Sequence, residues 1–312
     1  MADRVLGDLG HRNAVAGFPP PAPARSRRRL PEARSPVRRH QAVAGRAWRQ
    51  VTRVLSAAVL IAFTIGIVWF ASEPLFYAVA LIVTLAASHE LADLARASGI
   101  TISRLLSQLA AALTMAVATV PDASAALMVT LVAAFLALAF VALASWRGGP
   151  DALATVSASL LPSIYLGLPI AALVTIRVYG GPASLFLLMV TVMVSDTAQY
   201  YAGRAFGRRP LAPAISPQKT VEGAIAGFIF GPLTLAAVGH WWLPGVPAAL
   251  RVLIGVAVVA LGIAGDLFES MLKRSAGVKD SSSLIPGHGG ILDRIDALLF
   301  AAPVYYIVLR YV

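Results

Sequence analysis

The chain has 312 residues, 58% of them apolar and 13% charged, where a soluble domain carries roughly 45–50% and about 25%. With a mean hydropathy of +0.76, this excludes a soluble enzyme and predicts an integral membrane protein of many spans. Cysteine is absent, which removes disulfides, thiolate metal sites and thiol nucleophiles, and the net charge of +11 is concentrated at one end, residues 1–53 holding 12 Arg against 3 acids.

Residues 1–53 are rich in Pro, Ala and Arg, with Pro19–Pro21 and Arg27–Arg29, and show no apolar periodicity. They predict a disordered cytoplasmic tail whose arginines are solvated or meet anionic lipid headgroups. Pro31 and Glu32 follow the arginines, and the first apolar run begins only near Val54, so no twin-arginine export signal is expected. Residues 54–312 form the membrane domain. Nine stretches are long enough to span a bilayer at ~20 residues each: 54–71, 75–95, 103–120, 124–145, 153–174, 182–202, 220–240, 249–271 and 292–311. The expected fold is an all-α, polytopic membrane helical bundle of about nine transmembrane helices. Gly223, Gly227 and Gly231 in the seventh stretch have the spacing that lets helices approach closely.

With the N-terminus in the cytoplasm, nine crossings put eleven basic residues of the body on the cytoplasmic side: Arg96, Arg104, Arg147, Arg204, Arg208, Arg209, Lys219, Lys273, Arg274, Lys279 and Arg294. The outer side receives three, Arg177, Arg251 and Arg310. This asymmetry predicts both count and direction. The acids then converge. Asp196 falls near the cytoplasmic end of the sixth span, Asp266 and Glu269 near that of the eighth, and Asp293 and Asp296 open the ninth. A charge at bilayer depth costs ~2.5–3.5 kcal/mol on insertion scales, so several at one level need a reason.

Asp266, Glu269 or Ser270, and Lys273 share one helix face, as do Asp293 and Asp296. Hard oxygen ligands without His or Cys clusters suit Mg²⁺. Interhelical salt bridges to Lys273, Arg274, Lys279 and Arg294 are the other use of the same acids. Two loops add anion-binding character. One runs from Gly203 through Ser216, Lys219 and Thr220, just before a helix N-terminus. The other runs from Lys279 and Asp280 to Gly287, His288, Gly289 and Gly290, whose glycines admit close backbone approach to a phosphate.

The run Ser270 to Arg274, then Lys279-Asp280, then Pro286-Gly287-His288-Gly289-Gly290-Ile291-Leu292-Asp293-Arg294-Ile295-Asp296 resembles the signature of the phosphatidate cytidylyltransferase (CDP-diacylglycerol synthase) family. Asp196 to Arg204 and Ser216 to Gly223 resemble a second block of that family, with Gln218 and Val221 where Lys and Trp are usual. His89-Glu90 loosely resembles an N-terminal feature. The likeness covers roughly 54–312 and is densest over 195–296.

The resemblance implies transfer of a cytidylyl group from CTP to phosphatidate in the cell's inner membrane. It implies a catalytic set of Asp196, Ser216, Lys219, Lys273, Arg274, Lys279, Asp280, His288, Arg294 and Asp296. Thr220, Ser270, Gly287, Gly289 and Gly290 would bind substrate. Asp266 and Asp293 would hold Mg²⁺, with room for a second cation. CTP, phosphatidate and membrane lipids are the expected partners, with a second copy of the chain as a further candidate and no nucleic acid. Two other readings compete. A CTP-dependent lipid or polyprenol kinase would move the terminal phosphate. A cation-coupled transporter would carry mid-span charges and internal repeats.

Overall fold

The structure, a computed structural model, describes residues 55–282, 284–285 and 289–311. The predicted tail therefore lies outside the described residues, as do Gly287 and His288. The helices are α1 (Leu55–Phe70), α2 (Glu73–Ala97), α3 (Arg104–Ala118), α4 (Ser124–Ser145), α5 (Ala152–Tyr179), α6 (Gly181–Phe206), α7 (Val221–Trp242), α8 (Ala248–Ser275) and α9 (Leu292–Tyr311). They correspond one for one with the nine apolar stretches and make a polytopic membrane bundle.

Six of them, α2 and α4 to α8, are long and apolar enough to cross a bilayer by length and composition. α3 has only 15 residues, about 22 Å at 1.5 Å per residue, short of a ~30 Å hydrocarbon core. α9 reaches 20 residues but opens with Asp293, Arg294 and Asp296.

Helices α6, α7, α8 and α9 pack in sequence, and α9 also packs on α5. Small residues set the closeness. A Cβ on Gly227 would stand 2.7 Å from Gln199 Cγ and 2.9 Å from Ser195 Oγ, and one on Gly231 would collide with Val259. The glycine stripe of α7 is thus the contact surface toward α6 and α8. Gly265 of α8 similarly faces the Asp296 carbonyl of α9. The core between these helices holds Leu187, Leu188, Leu235, Leu299 and the fully buried Tyr305, whose hydroxyl donates to the Ser184 carbonyl at 3.1 Å. By contrast, α4 buries only Leu138. An all-round apolar helix with so little protein contact presents its surface to lipid.

Two features go beyond the expected helices. The segment between α6 and α7 forms a two-stranded antiparallel hairpin, β1 (Pro210–Ala212) and β2 (Ser216–Thr220). Inside α5, residues Ser163–Gly167 widen into a π turn, with the Leu168 N–H bonding back to Ser163 O. Proline at 162 and 169 interrupts the regular ladder on either side, and Gly167 lies against the Ala111 carbonyl of α3, where a Cβ would come to 2.8 Å.

Candidate active site

One end of the bundle gathers the C-terminal turns of α2, α6 and α8, the hairpin, and the N-terminal turns of α7 and α9. The hairpin fixes the entry to α7. Thr220 caps that helix, its Oγ1 accepting from Gly223 N at 3.1 Å. Glu222 then accepts from the backbone of Arg208 at 3.0 Å and Arg209 at 3.3 Å. Arg274 of α8 braces the same hairpin, donating to the Ile215 carbonyl at 3.3 Å and to Val278 O at 3.4 Å. Ser216 sits in β2, opposite Ala212.

Near the end of β2, Lys219 forms an ion pair with Asp266 of α8. The other Asp266 oxygen accepts from Ser270 Oγ at 3.3 Å, one turn on. Asp266 lies within Coulombic range of Asp196 on α6 and Asp296 on α9. Asp196 accepts from Gln199 at 3.1 Å, and Asp296 from its neighbour Ala297 N at 2.8 Å. A second group centres on Lys273. Its Nζ donates to Asp293 Oδ1 at 2.6 Å and forms an ion pair with the fully buried Glu269, without hydrogen-bond geometry. Asp293 Oδ2 accepts three further bonds, from Gly290 N at 2.7 Å, Ser281 Oγ at 2.9 Å and Ser281 N at 3.1 Å.

The structure thus brings together Asp196, Lys219, Asp266, Ser270, Lys273, Asp293 and Asp296. Gly290 joins them through its amide. Gly289 takes a φ of 78°, which glycine adopts without penalty, and pairs its carbonyl with Ile285 N at 2.9 Å. Lys279, Asp280 and Arg294 are exposed around this group, with Asp280 beside Gly289. Of the four basic residues considered for salt bridges, only Lys273 pairs with an acid among the described residues. Lys219, not among those four, pairs with Asp266.

Two residues outside the predicted site set join this end. Glu90 of α2 is buried and accepts from Ser282 Oγ at 2.6 Å, Leu292 N at 2.8 Å, and Ser281 Oγ and Ile291 N at 2.9 Å. A carboxylate inside an apolar span was the signal available in the sequence. Its partners, 191 to 202 residues away, were not. Tyr165 of the π turn is buried in edge-on contact with the rings of Phe268 and Phe300, which also touch each other. Its hydroxyl has no hydrogen-bond partner among the described residues and lies in the field of Glu269, Asp296 and Asp266.

Asp196, Asp266, Glu269, Asp293 and Asp296 face two ammonium groups in this cluster, an excess of acid over paired base. All donors are hard oxygens, a set that fits a divalent cation such as Mg²⁺. Among the described residues no three acids or histidines form a ready-made cage.

A charged, oxygen-rich cluster thus lies at one end of an apolar membrane bundle. The chain belongs to the cytidylyltransferase family, whose sequence profile matches residues 51–312. It is similar to the phosphatidate cytidylyltransferase of Haemophilus influenzae, 46% identical over 132 residues, 41% of this chain and 46% of the relative. It is likewise similar to the phosphatidate cytidylyltransferase of Aquifex aeolicus, 41% identical over 125 residues, 40% of this chain and 46% of the relative. The corresponding protein of Bacillus subtilis is 40% identical over 153 residues, 48% of this chain and 56% of the relative. In these matches the chain spans about half the length of the relatives.

Proposed function

We propose that the protein transfers the cytidylyl group of CTP to phosphatidate, giving CDP-diacylglycerol and pyrophosphate. The observation that carries this reading is the convergence of Asp196, Asp266, Asp293 and Asp296 with Lys219 and Lys273 at one end of the bundle, in a chain whose family relatives bear that name. A phosphate oxygen of the lipid attacks the α-phosphorus of CTP. The bond to the β-phosphate oxygen breaks, and pyrophosphate leaves. Both reactants are anions, so the work of the residues is to bring them together and neutralise charge.

Lys219 pairs with Asp266 and Lys273 with Asp293 and Glu269, and both ammonium groups are placed to meet triphosphate oxygens. Arg274 and Lys279 receive the departing pyrophosphate. The amide of Gly289 and the hydroxyls of Thr220 and Ser270 orient phosphate groups. Asp266 and Asp293 would hold a divalent cation, with Asp196 and Asp296 available to a second. When bound, such ions neutralise phosphate oxygens and stabilise charge that develops in the transition state. The attacking group is already an anion and needs no strong base.

The site faces the cytoplasm in this reading, as the basic residues of the body favour. The lipid then enters sideways from the membrane while CTP arrives from the aqueous side. The Arg-rich residues 1–53 stand apart from catalysis.

Product analysis tests the reading. Full-length protein purified in detergent, supplied with phosphatidate, Mg²⁺ and CTP labelled in the cytidine, is expected to place label in the lipid and release pyrophosphate. Label appearing in CDP beside a newly phosphorylated lipid identifies a kinase and overturns it.

A further inference from the structure

We infer that Glu90 is a positioning residue for Asp293, holding Ser281, Ser282 and the start of α9 in their working arrangement from a distant helix. The inference rests on the cytidylyl-transfer reading, in which Asp293 is a working carboxylate. Glu90 lies two turns from the end of α2 and is only 3% exposed. Four donors converge on its two oxygens. Ser282 Oγ and Ile291 N reach Oε1, and Ser281 Oγ and Leu292 N reach Oε2. Two donors come from the loop's serines and two from the backbone entering α9, so one carboxylate ties the middle of the loop to its exit into α9. A buried carboxylate is tolerated because every donor it meets is aimed at it.

The coupling to Asp293 is direct. Ser281 Oγ carries one hydrogen and stands 2.9 Å from both Glu90 Oε2 and Asp293 Oδ2. It can donate to only one of them at a time, so the two carboxylates compete for it and are linked through Ser281. Gly290 completes the arrangement. Its amide donates to Asp293 at 2.7 Å, while a side chain there would strike both Ser281 Oγ and Glu90. Glu90, Ser281 and Gly290 together fix where Asp293 points, and Asp293 in turn holds Lys273 at 2.6 Å. Glu90 itself need touch no substrate.

Glu90→Gln keeps the size but replaces one accepting oxygen with an NH₂ group, setting donor against donor at two of the four contacts. Ser281→Ala removes only the shared hydroxyl. In full-length protein in detergent, without substrate, amide exchange at Ile291 and Leu292 is expected to accelerate at least about tenfold in Glu90→Gln. With substrates, kcat should fall ~10–100-fold, the range seen when groups supporting a metal ligand are changed. The KM values for CTP and phosphatidate should stay within about twofold, and the Mg²⁺ concentration for half-maximal rate should rise. Ser281→Ala should move the same quantities in the same direction by less.

Unchanged exchange at Ile291 and Leu292 overturns the anchoring. Wild-type kcat and Mg²⁺ dependence per folded molecule, with only the folded yield reduced, reduces Glu90 to a structural residue and overturns the positioning role. If Glu90→Gln yields no folded protein, Ser281→Ala decides by the same readouts. A wild-type protein without cytidylyl transfer overturns the proposed reaction instead, and the exchange measurement still decides the anchoring.

Discussion

Lys219 and Lys273 each hold an acid, but their surroundings differ. The pair of Lys219 with Asp266 is about a quarter exposed on both sides. Such pairs contribute under about 1 kcal/mol to stability. Lys273 sits between Glu269, which is fully buried, and Asp293, which is nearly so. Removing one partner of a buried pair costs ~3–5 kcal/mol. Lys219→Ala is therefore the informative change. It should leave the melting temperature nearly unaltered and raise KM for CTP on the order of 10–100-fold, the loss of one charge-assisted bond. Titration of rate against CTP, beside a thermal melt, checks both. A large loss of stability with normal KM would assign Lys219 to the scaffold. At this scale the sequence was informative wherever an acid interrupted an apolar run, which is how Asp196, Asp266 and Asp296 drew notice. Glu90 interrupts one as well, but its importance lies in partners at Ser281 to Leu292, and no local spacing encodes a contact across nearly two hundred residues. Tyr165 gave no signal, since an aromatic residue in an apolar span reads as core.

The helices follow from continuous apolar runs of the length a bilayer demands, and their order was legible for that reason. What was not legible depends on non-local packing or on proline. The hairpin of Pro210–Ala212 with Ser216–Thr220 lies in a segment rich in Pro and Gly, with strands too short to show alternation. The π turn at Ser163–Gly167 answers Pro162 and Pro169 together with the close approach of α3. Glycine spacing in α7, in contrast, was readable and is realised as contact with α6 and α8. Gly227→Leu should therefore force α7 away from Ser195 and Gln199. The expected cost is at least the ~1–3 kcal/mol of an overpacked core, with loss of activity as Lys219 and Asp266 separate. Thermal unfolding in detergent reads the first effect. A Leu variant with wild-type melting would show that α7 is not held at the distance its glycines permit.

At the scale of the whole molecule, the charges of the body set direction. The proposed orientation places the C-terminal end of α8 in the cytoplasm. The chain has no native cysteine, so a single Ser275→Cys, at an exposed residue of that helix, gives an unambiguous label. An impermeant thiol reagent should modify it from the cytoplasmic face alone, and modification from outside would invert the bundle and move the site away from CTP. The central claim, that this polar end performs cytidylyl transfer with cation-holding carboxylates, is tested most directly by turnover of Asp266→Asn and Asp293→Asn. Each substitution preserves size and removes charge. The expected result is no cytidine-labelled lipid per folded molecule from either variant, with Asp266→Asn recovered in normal yield, Asp293→Asn in lower yield because it loses a buried partner of Lys273, and the wild type active under the same conditions. Retention of most activity by either variant in folded form would contradict it.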